Sequence, residues 1–346
     1  MKNTSHRKLN RHFARYRQNM FITILGFLIF FAGFSNVQAH SPHDVVNTFT
    51  ISPQYAVDKT VFVYVDRLLR STDGGYSWKE LIQGLDFFTV VADIEVSPAF
   101  QTDQTVFIAV IGHGIYKSTN KGDSWSKVNR GLHNLDIYRI RILKNKKGEQ
   151  IILAASTKGG LYKSRNGGDD WYKVLGDQTR ITSFMKVHGY MQGEIFIGSR
   201  TGDIYKSSDE GESWQVSFSI PDAGKITSIA ISPDFLKDQT FFVGTAKKGL
   251  LKTTDGGQSY FSHNAGLGQF NYWSLGYQTP HITDIVLSPM YHEDEAIFVS
   301  SWYQAVFRSE NGGDSWHLYN RGLKTFPQAD NLGTHHFDFL EISQNF

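Results

Sequence analysis

The sequence predicts an all-β protein, a β-propeller of four-stranded antiparallel blades. Three observations carry the prediction. One octapeptide recurs six times at near-constant spacing. Short apolar runs alternate with turn signals about every 8–12 residues, the rhythm of sequential short strands. The composition, 14% aromatic with 32 Gly and only 8 Pro, suits many strands joined by tight turns. With 346 residues, 40% of them hydrophobic, the chain can bury one large repeat array.

The first octapeptide reads Ser71-Thr72-Asp73-Gly74-Gly75-Tyr76-Ser77-Trp78. The later copies carry Asn120, Asn166, Asp209, Asp255 and Asn311 at the third position and end at Trp125, Trp171, Trp214, Tyr260 and Trp316. Successive terminal aromatics lie 47, 46, 43, 46 and 56 residues apart. Asp or Asn at the third position folds its side chain back onto turn N–H groups. Gly at the fifth permits a left-handed backbone. The opening Ser or Thr offers a second local hydrogen bond, and the terminal ring fills space between neighbouring sheets. The whole is a stapled hairpin turn.

This octapeptide resembles the Asp box, or bacterial neuraminidase repeat, of a propeller superfamily. That superfamily includes sortilin-type receptors, xyloglucanase-like hydrolases, sialidases and photosystem assembly factors. The resemblance spans about residues 46–346. It implies that each box joins the third and fourth strands of a blade and is structural, on the face away from the usual binding site.

The remaining strands follow from the rest of the repeat. A segment such as Ile51-Ser52-Pro53-Gln54-Tyr55 or Val96-Ser97-Pro98-Ala99-Phe100 precedes most boxes. An acid (Asp58, Asp103) follows, then an apolar run, a Gly-rich link and a third strand leading into the box. The blades are expected at about 46–84, 91–131, 137–178, 181–220, 226–265 and 282–322. Residues 337–346 match the first strand of a seventh, with Gln344 where Pro stands elsewhere. On this reading the sequence is a fragment of a longer propeller; the alternative is a six-bladed ring with an extra docked strand.

Residues 1–39 stand apart. Lys2, Arg7, Lys8, Arg11, Arg15 and Arg17 precede an apolar run from Phe21 to Phe34, and Val37-Gln38-Ala39 forms a small-x-small cleavage site. That order is a secretory signal peptide, with cleavage expected after Ala39 and a secreted, periplasmic or cell-surface product. The run falls short of the ~20 residues that span a bilayer, so no membrane insertion is expected after leader removal. The 35 Lys and Arg less the six in the leader leave 29 against 33 acids, a mature charge of about −4, which argues against nucleic acid as partner. With no Cys the chain has neither disulfides nor a Cys-type zinc site, and a bacterial periplasm or surface fits better than a eukaryotic ectodomain. The 13 His show no metal-ligand spacing, and no phosphate loop or dinucleotide fingerprint occurs, so neither metal nor cofactor is expected.

Function is expected on the loops that vary while the boxes do not. The insertion between the fifth and sixth blades holds Tyr272, Trp273 and Tyr277, and Trp302 and Tyr303 lie in a nearby link. Together they offer an aromatic platform for a sugar face or a protein. On the innermost strands Asp93, Arg139, Ser183, Ser228 and Asp284 align at one position, pointing toward the channel mouth. Asp93 and Asp284 are the candidate acid and base of an inverting glycosidase, for which carboxyls roughly 6.5–9.5 Å apart are needed; a hydrogen-bonded channel lining is the favoured reading. Tyr138-Arg139-Ile140-Arg141 only partly echoes the sialidase motif, lacking its Pro, so no sialidase catalytic residue carries over. The sequence therefore points to an exported, non-enzymatic binding module for a protein or glycan, with a glycoside hydrolase as the alternative. Fold alone does not choose between them.

Overall fold

A computed structural model describes residues 46–86, 89–145, 147–186, 194–267, 279–301, 305–319 and 340–342. The chain is a β-propeller of sequential four-stranded antiparallel wedges. The first comprises β1 (Thr48–Ile51), β2 (Val61–Tyr64), β3 (Leu68–Ser71) and β4 (Lys79–Glu80), and the second β5 (Val91–Val96), β6 (Val106–Val110), β7 (Gly114–Ser118) and β8 (Ser126–Lys127). The third is β9 (Ile137–Lys144), β10 (Gln150–Ser156), β11 (Leu161–Ser164) and β12 (Tyr172–Leu175), and the fourth β13 (Ile181–Lys186), β14 (Ile195–Ser199), β15 (Asp203–Ser207) and β16 (Gln215–Ser219). The fifth is β17 (Ile226–Ile231), β18 (Phe241–Thr245), β19 (Leu250–Thr253) and β20 (Phe261–Ser262), and the sixth β21 (Ile282–Leu287), β22 (Ile297–Ser301), β23 (Ala305–Ser309) and β24 (His317–Leu318). Each wedge pairs its strands in chain order; the fourth and fifth also join through a short parallel pairing, Met185 opposite Ile229.

Burial falls outward across each wedge. The second strands are buried along almost their whole length: Val61, Phe62, Val63, Val106, Phe107 and Ile108 are at most 1% exposed. Apolar side chains on both faces of these strands are what a sheet sandwiched between two others requires. The fourth strands are short and largely exposed.

Every box joins a third strand to a fourth and uses one set of bonds. The opening hydroxyl oxygen accepts the N–H of the fifth residue, as at Gly75 (2.8 Å), Gly168 (2.9 Å) and Gly313 (2.9 Å). The third-position Oδ1 accepts the N–H of the seventh, 3.0 Å from Ser77 and 2.9 Å from Ser124. Asn serves as well as Asp here because this oxygen is common to both; Asn120 Nδ2 donates to Ser124 Oγ, while Asp209 accepts the Ser213 hydroxyl. Those bonds from the Ser213 hydroxyl and N–H, outweighing desolvation, hold the Asp209 carboxyl down at about 2. Gly168 shows why the fifth position is fixed. Its φ is +90°, and a Cβ there would sit 2.6 Å from the Phe107 ring of the wedge before.

The terminal rings lock neighbouring wedges together. Trp125, Trp171 and Trp316 are 4, 4 and 5% exposed. Trp171 Nε1 donates to Val128 C=O (2.8 Å) and Trp316 Nε1 to His263 C=O (2.9 Å), both in the preceding wedge. Tyr260 stacks on Phe218 of the fourth wedge, centroids 5.8 Å apart. Trp78 differs: it is half-buried, packs on Val63, Leu69 and Tyr55 of its own wedge, and donates to its own Gly75 C=O (3.0 Å).

The Ser-Pro segments form an element that strand periodicity does not announce. Four-residue helical turns follow them: α1 (Tyr55–Asp58), α2 (Phe100–Asp103), α3 (Phe235–Asp238) and α4 (Tyr291–Asp294). Each buries its first aromatic, and each opening Ser donates to the closing acid, at 2.6 Å for Ser52 and Asp58 and 2.5 Å for Ser97 and Asp103. The box then donates to the residue after the turn, Gly74 N–H to Lys59 C=O (3.0 Å) and Gly256 N–H to Gln239 C=O (3.1 Å). Boxes and helical turns thus share one face of the ring. The links between second and third strands, and between wedges, occupy the other.

Candidate functional site

The inner strands line a channel. Because side chains alternate along a strand, Asp93 and Glu95 of β5 both turn toward the next wedge. Asp93 Oδ2 accepts the Ile140 N–H (2.9 Å) and Glu95 Oε1 the Ile142 N–H (2.9 Å). Two carboxylates thereby satisfy the open edge of β9, whose N–H groups have no strand to pair with. Ser228 plays the same part for Ile285 N–H at 3.3 Å.

The five aligned residues Asp93, Arg139, Ser183, Ser228 and Asp284 share the wall of one cavity of about 50 Å³. Arg139 lies 3.7 Å from Asp93. Asp284 is the most heavily bonded. Its Oδ1 accepts the Ser228 hydroxyl (2.8 Å) and Ile285 N–H (2.9 Å), and its Oδ2 accepts Lys186 Nζ (2.5 Å) and Leu340 N–H (2.7 Å). Asp93 and Asp284 are engaged as staples between wedges, on oxygens an acid and base would need free.

Deeper in the channel lies a pair that alignment on Asp93 alone does not single out. Arg141 Nη1 meets Glu95 Oε2 at 3.0 Å, and both border a second cavity of about 180 Å³ on the box side, with Lys186 and Glu341. Burial pushes the Glu95 carboxyl up to about 7; Arg141 and the Ile142 N–H oppose the rise, and Asp93 and Glu341 add to it. The signal for this pair was present in the sequence, since each member follows its aligned neighbour by two residues.

The face opposite the boxes carries cations on rigid loops. Arg180 precedes β13, Arg200 links β14 to β15, Lys225 precedes β17, and Lys247 and Lys248 link β18 to β19; all five are exposed. Main-chain bonds tie these loops in pairs: Arg200 N–H to Arg180 C=O (2.9 Å), and Ala246 N–H to Lys225 C=O (3.1 Å). Among the described residues no carboxylate lies within ion-pair range of Arg180, Arg200, Lys247 or Lys248. The nearby acids Asp136 and Asp177 are taken by Lys158 (2.8 Å) and Lys173 (2.7 Å), and Asp203, beside Arg200, accepts the Thr201 and Ser219 hydroxyls; Asp222 lies on the same loop as Lys225. Half-buried Tyr138 sits beside this set. Burial pushes its hydroxyl up to about 12 although Arg139, Arg180 and Arg200 pull the other way.

Tyr272, Trp273, Tyr277, Trp302 and Tyr303, the aromatic platform expected from sequence, lie outside the described residues. The insertion re-enters them at Thr279, whose hydroxyl donates to Lys247 C=O, so its exit adjoins the cationic loops.

Comparison with known proteins bears on this geometry. The family of the photosynthesis system II assembly factor YCF48 matches residues 54–338. No curated protein sequence matches the chain. Among solved structures, the GH74 xyloglucanase from Xanthomonas campestris is similar at TM-score 0.59 and 16% identity, over 79% of this chain and 47% of that one. The chain thus spans about half the length of the xyloglucanase. YCF48 from Cyanidioschyzon merolae is similar at TM-score 0.55 and 14% identity, over 80% of this chain and 86% of that one. A structure of YCF48 bound to D1 peptide gives 0.56 and 13%, over 80% and 82%. At such identities the structural likenesses speak for the propeller fold alone. With the family match reaching across most of its length, the chain belongs to the YCF48 family of photosynthesis system II assembly factors.

Proposed function

We propose that this protein is an exported, non-enzymatic binding module that holds an acidic protein segment on the face opposite the boxes. The observation that carries the reading is the run of exposed cations over successive loops, Arg180, Arg200, Lys225, Lys247 and Lys248. Loop-to-loop hydrogen bonds hold the backbone of these links, so the ordering cost of binding falls on the side chains rather than the main chain. A mature charge of about −4 makes a local cationic stretch a steering feature rather than a reflection of bulk charge. Family membership and the likeness to a YCF48 structure with bound D1 peptide support protein over glycan as the ligand. The bonded state of Asp93 and Asp284 supports binding over hydrolysis.

Titrating a fluorescein-labelled acidic peptide into the protein tests this. Arg180→Glu with Arg200→Glu should weaken binding at least tenfold, and 0.5 M salt should weaken the native protein similarly, as for exposed charges screened beyond a Debye length of about 4–5 Å. Equal affinity in the double variant sinks the reading. Export rests on the leader, so protein expressed with residues 1–39 should be recovered with His40 at its N-terminus; intact-mass measurement showing Met1 retained removes that part.

A further inference from the structure

The face opposite the boxes is chemically divided. Val90, Ile111 and Leu135 leave 55, 37 and 38% of their surface exposed there, on the link before β5, the link from β6 to β7 and the link before β9. Among the described residues, the other exposed large apolar side chains lie on or beside fourth strands, boxes and helical turns, as Phe261, Tyr76 and Leu236 do. Main-chain bonds join the three links: Ile111 N–H to Val90 C=O (3.1 Å) and Gly114 N–H to Leu135 C=O (2.9 Å). The three side chains therefore stand on neighbouring, mutually tied loops, where exposed apolar surface gathers instead of scattering singly.

The acids on these links are already paired. Asp86 meets His113 (2.7 Å) and Lys127 (2.7 Å), and Asp136, next to Leu135, meets Lys158 (2.8 Å). Little unbalanced negative charge therefore faces an approaching carboxylate. The same lacing of loops continues toward the cations. Thr157 N–H meets Asp136 C=O (2.9 Å), Gly160 N–H meets Thr179 C=O (3.0 Å), and Thr179 adjoins Arg180. Only the third wedge separates the Leu135 link from the Arg180 link. Packed sheets lie about 10 Å apart, a span that three or four extended residues cross at about 3.3 Å each. The apolar patch and the cationic loops are within reach of one extended chain.

We propose that the ligand of this face is an extended protein segment in two parts, with apolar side chains on Val90, Ile111 and Leu135 and acidic side chains on the loops of Arg180 and Arg200. The inference rests on the acidic-segment reading above and adds a second contact to it. The two parts act differently. Exposed charges steer the encounter and are screened by salt, whereas apolar cover is not screened. Joined in one chain, each contact makes the other an intramolecular event, so the pair binds more tightly than either part alone.

Two fluorescein-labelled peptides test the proposal. One joins four leucines to four glutamates through Gly-Ser-Gly-Ser; its twin has serines in place of the leucines, and each is made in both block orders. In the better order the leucine peptide should bind the full chain at least tenfold more tightly than its twin. It should keep that advantage in 0.5 M salt and show the more negative heat-capacity change by calorimetry. Ile111→Ser with Leu135→Ser should erase the advantage while the serine peptide binds as before, which also reports that the variant is folded. Val90→Ser, at the most exposed of the three, should reduce the advantage by itself. Equal affinity of the two peptides in both orders overturns the inference and leaves the acidic reading standing; binding of neither removes both. An advantage that survives Ile111→Ser with Leu135→Ser overturns the inference, as does leucine-peptide binding that Arg180→Glu with Arg200→Glu fails to weaken.

Discussion

Trp171→Ala should lower the unfolding free energy by about 3–5 kcal/mol, the cost of removing a large buried aromatic whose site cannot collapse. Trp171 is 4% exposed and packs with Phe107, Tyr162 and Ile152, on rings and strands of two wedges at once. Its Nε1 bond to Val128 C=O adds the penalty of a carbonyl left without that donor. The backbone cannot slide in to fill the space, because Trp171 N–H is itself held by Arg130 C=O at 2.9 Å. Trp78→Ala is the internal comparison. That ring is half-buried and, among the described residues, packs on its own wedge, so its loss should cost well under half as much. Urea denaturation followed by circular dichroism measures both. Equal midpoints for the two variants would show that box rings do not act as locks between wedges.

The sequence made the boxes legible because their physics is local. Ser207 with Gly211, and Asp209 with Ser213, find one another within seven residues, and the turn they close needs no distant partner. Asp93, Arg139, Ser183, Ser228 and Asp284 could be aligned because the Ser-Pro marks fix the phase of each inner strand. What those residues do was not legible. Asp93 bonds Ile140, 47 positions away, only because the wedges fan round an axis and bring a free strand edge to its carboxylate. The helical turns escaped a reading based on strand periodicity since four residues are too few to show a 3.6 repeat. The Ser opening and the acid six residues later, as in Ser52 and Asp58, were the usable signal. The cationic face was hidden for a related reason. Arg200 and Lys247 stand in the same link of successive repeats, but a single Arg or Lys in a loop carries no signature until the loops are superposed.

Stability should fall as pH rises from about 4.5 to about 7, with Glu95 the group to test and Glu341 adding in the same direction. In the folded chain burial lifts its carboxyl to about 7 from an ordinary value of 4.5, so the native state holds a proton that the unfolded chain has already released. The sign follows directly. Below 4.5 both states are protonated and the full contribution is present; between the two values only the native state is, and stability drains as pH rises; above 7 the loss is complete. A shift of this size corresponds to about 3 kcal/mol. The groups that face Glu95 bear on the same titration: Arg141 and the Ile142 N–H favour its charge, while Asp93 and Glu341 oppose it. Glu95→Gln removes the titration while keeping an acceptor for the Ile142 N–H. Its unfolding free energy, measured in urea from pH 4.5 to 8, should therefore show a shallower slope than the native protein in that window, the remainder coming from Glu341, whose carboxyl burial also raises, whatever constant offset the unpaired Arg141 adds. The difference between the two proteins should grow in favour of the variant by about 3 kcal/mol across the range. Parallel profiles would mean that Glu95 is charged throughout, with its pair to Arg141 at 3.0 Å outweighing burial, and that the channel staple does not respond to pH.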